Sequence, residues 1–108
     1  MFADLVLDAV ERLERRWRKE LAAVEFAVEQ VPPAPAAAQV HGRRVALARV
    51  HPGGAGRPAR VVLYRRPIEN RAKAPAELAA LVHDVVVESV ADLLGLTPEQ
   101  VDPLYDRD

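Results

Sequence analysis

Cysteine is missing from all 108 residues. That absence removes disulfide frameworks, thiolate zinc sites and cysteine nucleophiles together, and it fits a reducing compartment, so a cytoplasmic location is the expectation. Aromatic residues are scarce, with two Phe, two Tyr and one Trp in the whole chain. Single-stranded nucleic acid would find few faces to stack on. No apolar run approaches the ~20 residues that cross a bilayer, and Met1-Phe2-Ala3-Asp4 opens an acidic amphipathic pattern where a secretory leader would be basic and then apolar. A soluble, unprocessed protein without membrane contact is expected. Net charge is almost absent as well, at 15 Lys plus Arg against 16 Asp plus Glu.

A chain of 108 residues, half of them hydrophobic, suffices for one domain with a modest core and is too short for two. The near-neutral total hides a polarity: residues 41–73 carry nine cations and one acid, whereas residues 74–108 carry one cation and eight acids. Arg43, Arg44, Arg57 and Arg60 would form the face of a nucleic-acid binder. Tyr64 is the one aromatic in that basic stretch, so solvated blocks, or blocks that face each other, are the expected reading and nucleic acid is not the expected partner. The ratio of 13 Arg to 2 Lys and the abundance of Ala read as the base composition of the genome.

Phe2, Leu5, Val6, Ala9, Val10, Leu13 and Trp17 recur at intervals of three and four, which predicts an amphipathic helix over 3–20. Its last turns collect Arg12, Arg15, Arg16, Arg18 and Lys19, cations that suit the negative end of the helix dipole. Val24, Phe26 and Val28 alternate with Glu25, Ala27 and Glu29, the period of a half-buried strand over 22–30. The Pro/Ala stretch 31–38 is an irregular connector. Strands at 44–50 and 60–65 follow as a hairpin, joined through a Gly-rich stretch at 51–56 that lacks the closing Gly-Lys-Ser/Thr of a phosphate loop and so reads as a mobile tip.

Pro67 and Pro75 suit first helical turns and predict a short helix over 67–73 and a principal helix over 75–94, closed by Gly95. Thr97-Pro98-Glu99-Gln100 has the pattern of a capping box and starts a final helix over 98–105. The fold class is therefore α+β. The principal helix is apolar around most of its circumference, which implies that it is sandwiched. Against that surface Asp84, Glu88 and Asp92 stand four apart and form one acidic stripe, with Glu77 further back. His83 lies about 100° around the helix from Asp84 and about 140° from Glu88, so it shares no metal with Glu88 by simple spacing and reads as a surface or partly packed imidazole.

Arg60-Val61-Val62-Leu63-Tyr64-Arg65-Arg66-Pro67-Ile68-Glu69, together with Val82 through Gly95, Leu96 and the last helix, resembles the small zincin-like metallopeptidases. The opening helix and the strand Val24-Glu25-Phe26-Ala27-Val28-Glu29 before a Pro pair follow that family's order too. The resemblance implies a minimal zincin-like domain, with an N-terminal helix, a three-stranded, mostly antiparallel sheet, a long C-terminal helix and a short final one. Family members carry His-Glu-x-x-His on the principal helix a few residues before the closing Gly. Counted back from Gly95, those positions hold Glu88, Ser89 and Asp92. In the zincin mechanism two imidazoles one turn apart bind zinc, and the Glu takes a proton from the metal-bound water. A serine hydroxyl stays protonated at neutral pH and cannot be that base.

No catalytic residue and no cofactor are then expected, and a peptide or protein segment in the former substrate groove is the expected partner. The alternative is a metal-dependent hydrolase in which Asp84, Glu88 and Asp92 hold a hard divalent cation through oxygen. Carboxylates in such a stripe are more commonly solvated or paired with arginines, for which Arg65, Arg66 and Arg71 are the natural candidates.

Overall fold

The amphipathic spacing at the start of the chain becomes helix α1, Phe2–Leu21, which buries Phe2, Val6, Ala9, Val10, Leu13 and Leu21. In the computed structural model, residues 1–33 and 46–105 are described. Trp17 leaves helical geometry at φ −118° and ψ 36°, and its indole Nε1–H donates to the Val101 carbonyl at 2.9 Å. The end of α1 is thereby tied to the far end of the chain.

Three strands follow: β1 (Glu25–Glu29), β2 (Ala48–His51) and β3 (Arg60–Tyr64), in spatial order β1-β3-β2. β2 and β3 form the expected antiparallel hairpin, with Ala48 opposite Leu63 and His51 opposite Arg60. β1 joins the other edge of β3 in parallel, Glu25 opposite Arg60 through Glu29 opposite Tyr64, so the sheet is mixed. Central position explains the composition of β3: Val61, Val62, Leu63 and Tyr64 are all buried, as a strand covered on both faces requires. At the turn, Gly54 N–H donates to Arg57 O at 3.1 Å and Arg57 N–H returns to Gly54 O at 2.9 Å, which closes residues 54–57 into a tight bend. Residues 44 and 45 of the expected second strand, and 34–38 of the connector, lie outside the described residues.

The sequence Arg65–Arg71 forms α2, with Pro67 in its first turn. Then α3 runs Pro75–Leu94 with Pro75 at its start. Gly95 ends it at φ 73°, a left-handed position that costs a residue with a side chain. Leu96 N–H donates to Ala91 O at 2.9 Å, completing a Schellman-type close. α3 packs on α1 and on β2 and β3, and Val82, Val86, Val87 and Val90 are fully buried on different sides of it. The sandwiched helix is thus present.

The final helix α4 spans Pro98–Val101, held by the Thr97/Gln100 capping box. It is shorter than the sequence suggested. Asp102 and Pro103 turn the chain: Asp102 Oδ1 accepts from Leu104 N–H at 3.0 Å, and its backbone carbonyl accepts from Tyr105 N–H at 2.9 Å. An Asp followed by Pro favours such a turn over continued helix. Among the described residues, no helix is long and apolar enough to cross a membrane.

Candidate functional site

The acidic stripe occupies a strip of α3 that the core leaves uncovered. Glu88 and Asp92 are exposed and Asp84 is half-buried, while Val85, Val87, Ser89, Val90 and Ala91 on either side are buried. This follows from helix geometry, because residues four apart drift by only about 40° and so stay on one face. The carboxylate of Glu88 accepts a hydrogen bond from the Tyr105 hydroxyl. That hydrogen bond, burial and the nearby carboxylates of Glu88, Asp84 and Glu99 push the Tyr105 phenol above its ordinary range. Tyr105 arrives there because the Asp102 turn folds the chain back over α3.

Ser89 sits beside Glu88 but points elsewhere. It is 6% exposed, and its hydroxyl donates to the Val85 carbonyl at 2.7 Å, one turn back on the same helix. A serine in mid-helix commonly satisfies itself in this way. Its proton is committed and its oxygen is away from solvent.

Asp84, Glu88 and Asp92 share the stripe, yet among the described residues no three His, Cys, Asp or Glu side chains come together in an arrangement that could hold a metal ion. Arg65, expected as a counter-charge to the stripe, instead pairs with Glu69 on its own helix at 3.0 Å. The partner that sequence reading missed is Tyr105. Seventeen positions separate it from Glu88, and only the tight turn after α4 brings them together.

His83 is also more engaged than its sequence context suggested. Its Nε2 lies 2.8 Å from Asp102 Oδ2, with only 20% and 17% of the two side chains exposed. An ionised carboxylate can only accept, so Nε2 carries the proton. Burial pushes the Asp102 carboxyl up, but the hydrogen bonds from His83 and Leu104 and the charges of His83 and Arg12 outweigh it and hold the group below its usual value. On its inner side, His83 Nδ1 is buried without a hydrogen-bond partner among the described residues.

The family comparison adds to this geometry. Residues 21–107 match the zincin-like metallopeptidase family. The chain belongs to that family. No curated protein matches it. The zincin-like segment includes the whole sheet, α2, α3 and its Gly95 cap, and the turn that carries Tyr105, so the acidic stripe lies inside it. The Leu63-Tyr64-Arg65-Arg66-Pro67-Ile68-Glu69 piece forms the junction of β3 and α2, where Arg66 N–H donates to Gln30 O at 3.0 Å just beyond β1. Residues 1–20, nearly all of α1, precede the zincin-like match.

Proposed function

We propose that this zincin-like domain has lost the family's zinc site and acts by holding an extended peptide or protein segment that it does not cleave. The observation that carries this reading is Ser89. At the position where the resemblance places the general base stands a hydroxyl that is buried and donated to Val85 O. Proton abstraction by a positioned base is worth ~10²- to 10⁴-fold in rate, and this hydroxyl supplies none of it.

The donor set at the same positions does not fit zinc. Structural and catalytic zinc sites draw on imidazole or thiolate nitrogen and sulfur with carboxylate in support, whereas Glu88 and Asp92 offer oxygen alone and Glu88 already accepts from Tyr105.

Peptide holding draws support from the sheet edge. β2 packs against α3, and among the described residues its outer edge has no strand beside it. Tyr64 N–H donates to Leu47 O at 2.9 Å, and the alternation of an antiparallel ladder then turns the N–H and C=O groups of Ala48 and Val50 outward. An added strand would pair with those groups.

Two measurements test the proposal. Purified without chelators, the protein should hold no stoichiometric metal, and peptide hydrolysis should not rise with added Zn²⁺ or Mn²⁺. Stoichiometric metal with metal-dependent turnover would sink the reading. A screen of displayed peptides should return binders that Ala48→Pro abolishes, since proline removes an outward N–H and leaves the β2–β3 ladder intact; binders indifferent to that change would place the contact elsewhere.

A further inference from the structure

We infer that the flank of α3 opposite the acidic stripe forms, with α1 and the C-terminal turn, a site for the oxyanion of a small phosphomonoester. A groove of about 440 Å³ lies there, lined by Arg12, Arg15 and Arg16 from α1, His83 from α3, and Asp102 and Leu104 from the turn. Its volume falls within the ~300–1,000 Å³ usual for small-molecule sites.

Charge decides the ligand class. The spacing of i, i+3 and i+4 puts the three guanidinium groups on one helix face. Among the described residues none of them has a carboxylate within ion-pair distance. The one acid in the groove, Asp102, is already engaged by His83 and by Leu104 N–H. Among the described lining residues three guanidinium groups, of which Arg12 also acts on Asp102 through space, outnumber one carboxylate, so the groove favours a multiply charged anion. Guanidinium forks match phosphate oxygens bidentately.

The groove also has a direction. It continues along α1 into a second concavity that shares Arg12, Arg15 and His83 but adds Asp8 and Glu11. The oxyanion therefore belongs at the Arg16 end, away from those acids. At that end Pro103 and Leu104 supply an apolar wall, and Leu104, a large apolar side chain, is 91% exposed. An ester group would lie against it. The walls are fixed before any ligand arrives: Trp17 anchors Val101, His83 anchors Asp102 and Tyr105 anchors the turn to Glu88. Preorganisation of this kind spares the ordering cost of binding.

This inference does not rest on the loss of zinc chemistry or on peptide holding. It is tested by calorimetric titration of the full chain with phenyl phosphate and with inorganic phosphate, at constant ionic strength set with chloride. Phenyl phosphate should bind saturably with Kd below about 1 mM. Arg12→Gln and Arg16→Gln should each weaken it by about tenfold or more, the usual loss with one charge-assisted hydrogen bond. Arg18→Gln changes an exposed cation of α1 outside the groove and should leave binding unchanged. Unaltered Trp17 fluorescence certifies that each variant is folded. Tighter binding of phenyl phosphate than of inorganic phosphate assigns an organic ester, and equal binding assigns free phosphate; both support the oxyanion site. Equal losses in all three variants, no saturation, or tighter binding of a Glu-rich peptide than of phenyl phosphate would overturn it.

Discussion

Replacing Asp102 with Asn keeps the shape of the side chain and removes its charge at the point where the C-terminal turn meets α3. The carboxylate accepts from His83 Nε2 at 2.8 Å and from Leu104 N–H at 3.0 Å. Both partners of the His83 pair are about four-fifths shielded from solvent. A hydrogen bond to an ionised group contributes ~1.5–3 kcal/mol, and the Asn carbonyl can keep one of the two acceptor roles, so a loss of about 2 kcal/mol is expected. In a domain of this size that lowers Tm by roughly 8–12 °C. Urea unfolding read by the fluorescence of Trp17, the sole tryptophan, should show a midpoint lower by about 1 M for an m-value near 2 kcal/mol/M. The pH dependence supplies an internal check. Because the folded Asp102 pKa lies below its unfolded value, the unfolded chain binds more protons in that window and stability rises with pH across it. The contribution is complete above about pH 5 and disappears as pH falls through the folded pKa, with the unfolded reference near 3.9. Wild type and variant should therefore differ at pH 6 and converge only as pH falls below the lowered, folded-state pKa of Asp102. Equal stability at pH 6, or a gap that persists in acid, would refute the reasoning.

Four other perturbations have defined outcomes. Gly95→Ala places a side chain at φ 73° and should cost about 1–2 kcal/mol by urea unfolding, with Gly95→Asn costing less. Trp17→Phe deletes the hydrogen bond to Val101 O and should cost about 1 kcal/mol, with faster amide exchange at Leu104 and Tyr105. Val90→Ala removes two methyl groups from a fully buried position and should cost about 2 kcal/mol in thermal unfolding. Glu88→Gln removes the negative acceptor of the Tyr105 hydroxyl, so the Tyr105 phenol should titrate at lower pH than in the wild type, as followed by the ring carbon resonance.

Periodicity made the helices legible. The apolar faces of α1 and α3 repeat at 3.6 residues, and the Pro75 start, the Gly95 stop and the Thr97/Gln100 box are local signals, so element type and ends could be read within a few positions. The parallel entry of β1 could not be read in this way, because alternation along 24–29 is the same for either direction of pairing. The end of the final helix is illegible for a related reason: the Asp102 carboxylate competes for Leu104 N–H, and that competition leaves no mark in hydrophobic pattern. The acidic stripe was legible from spacing alone. Its partner was not, since Tyr105 reaches Glu88 through a turn whose geometry depends on Asp102 and Pro103. The pairing of His83 with Asp102, nineteen residues apart, is tertiary in the same sense.

One short turn engages both flanks of α3. Asp102 grips His83 on one side and, three residues later, Tyr105 grips Glu88 on the other. The two contacts are separated by about 140° of helix circumference, so the turn straddles the helix and does not rest on a single face of it. A straddling turn transmits displacement: loosening Asp102 moves the backbone that carries Tyr105. The energies of Asp102→Asn and Glu88→Gln should then fail to add, because once one grip is lost the other constrains a segment already free to move. A double-mutant cycle by urea unfolding should give a coupling of about 0.5 kcal/mol or more between groups that do not touch. Strict additivity would mean that the two grips act independently and that the residue beside the stripe is tethered only by its own hydroxyl.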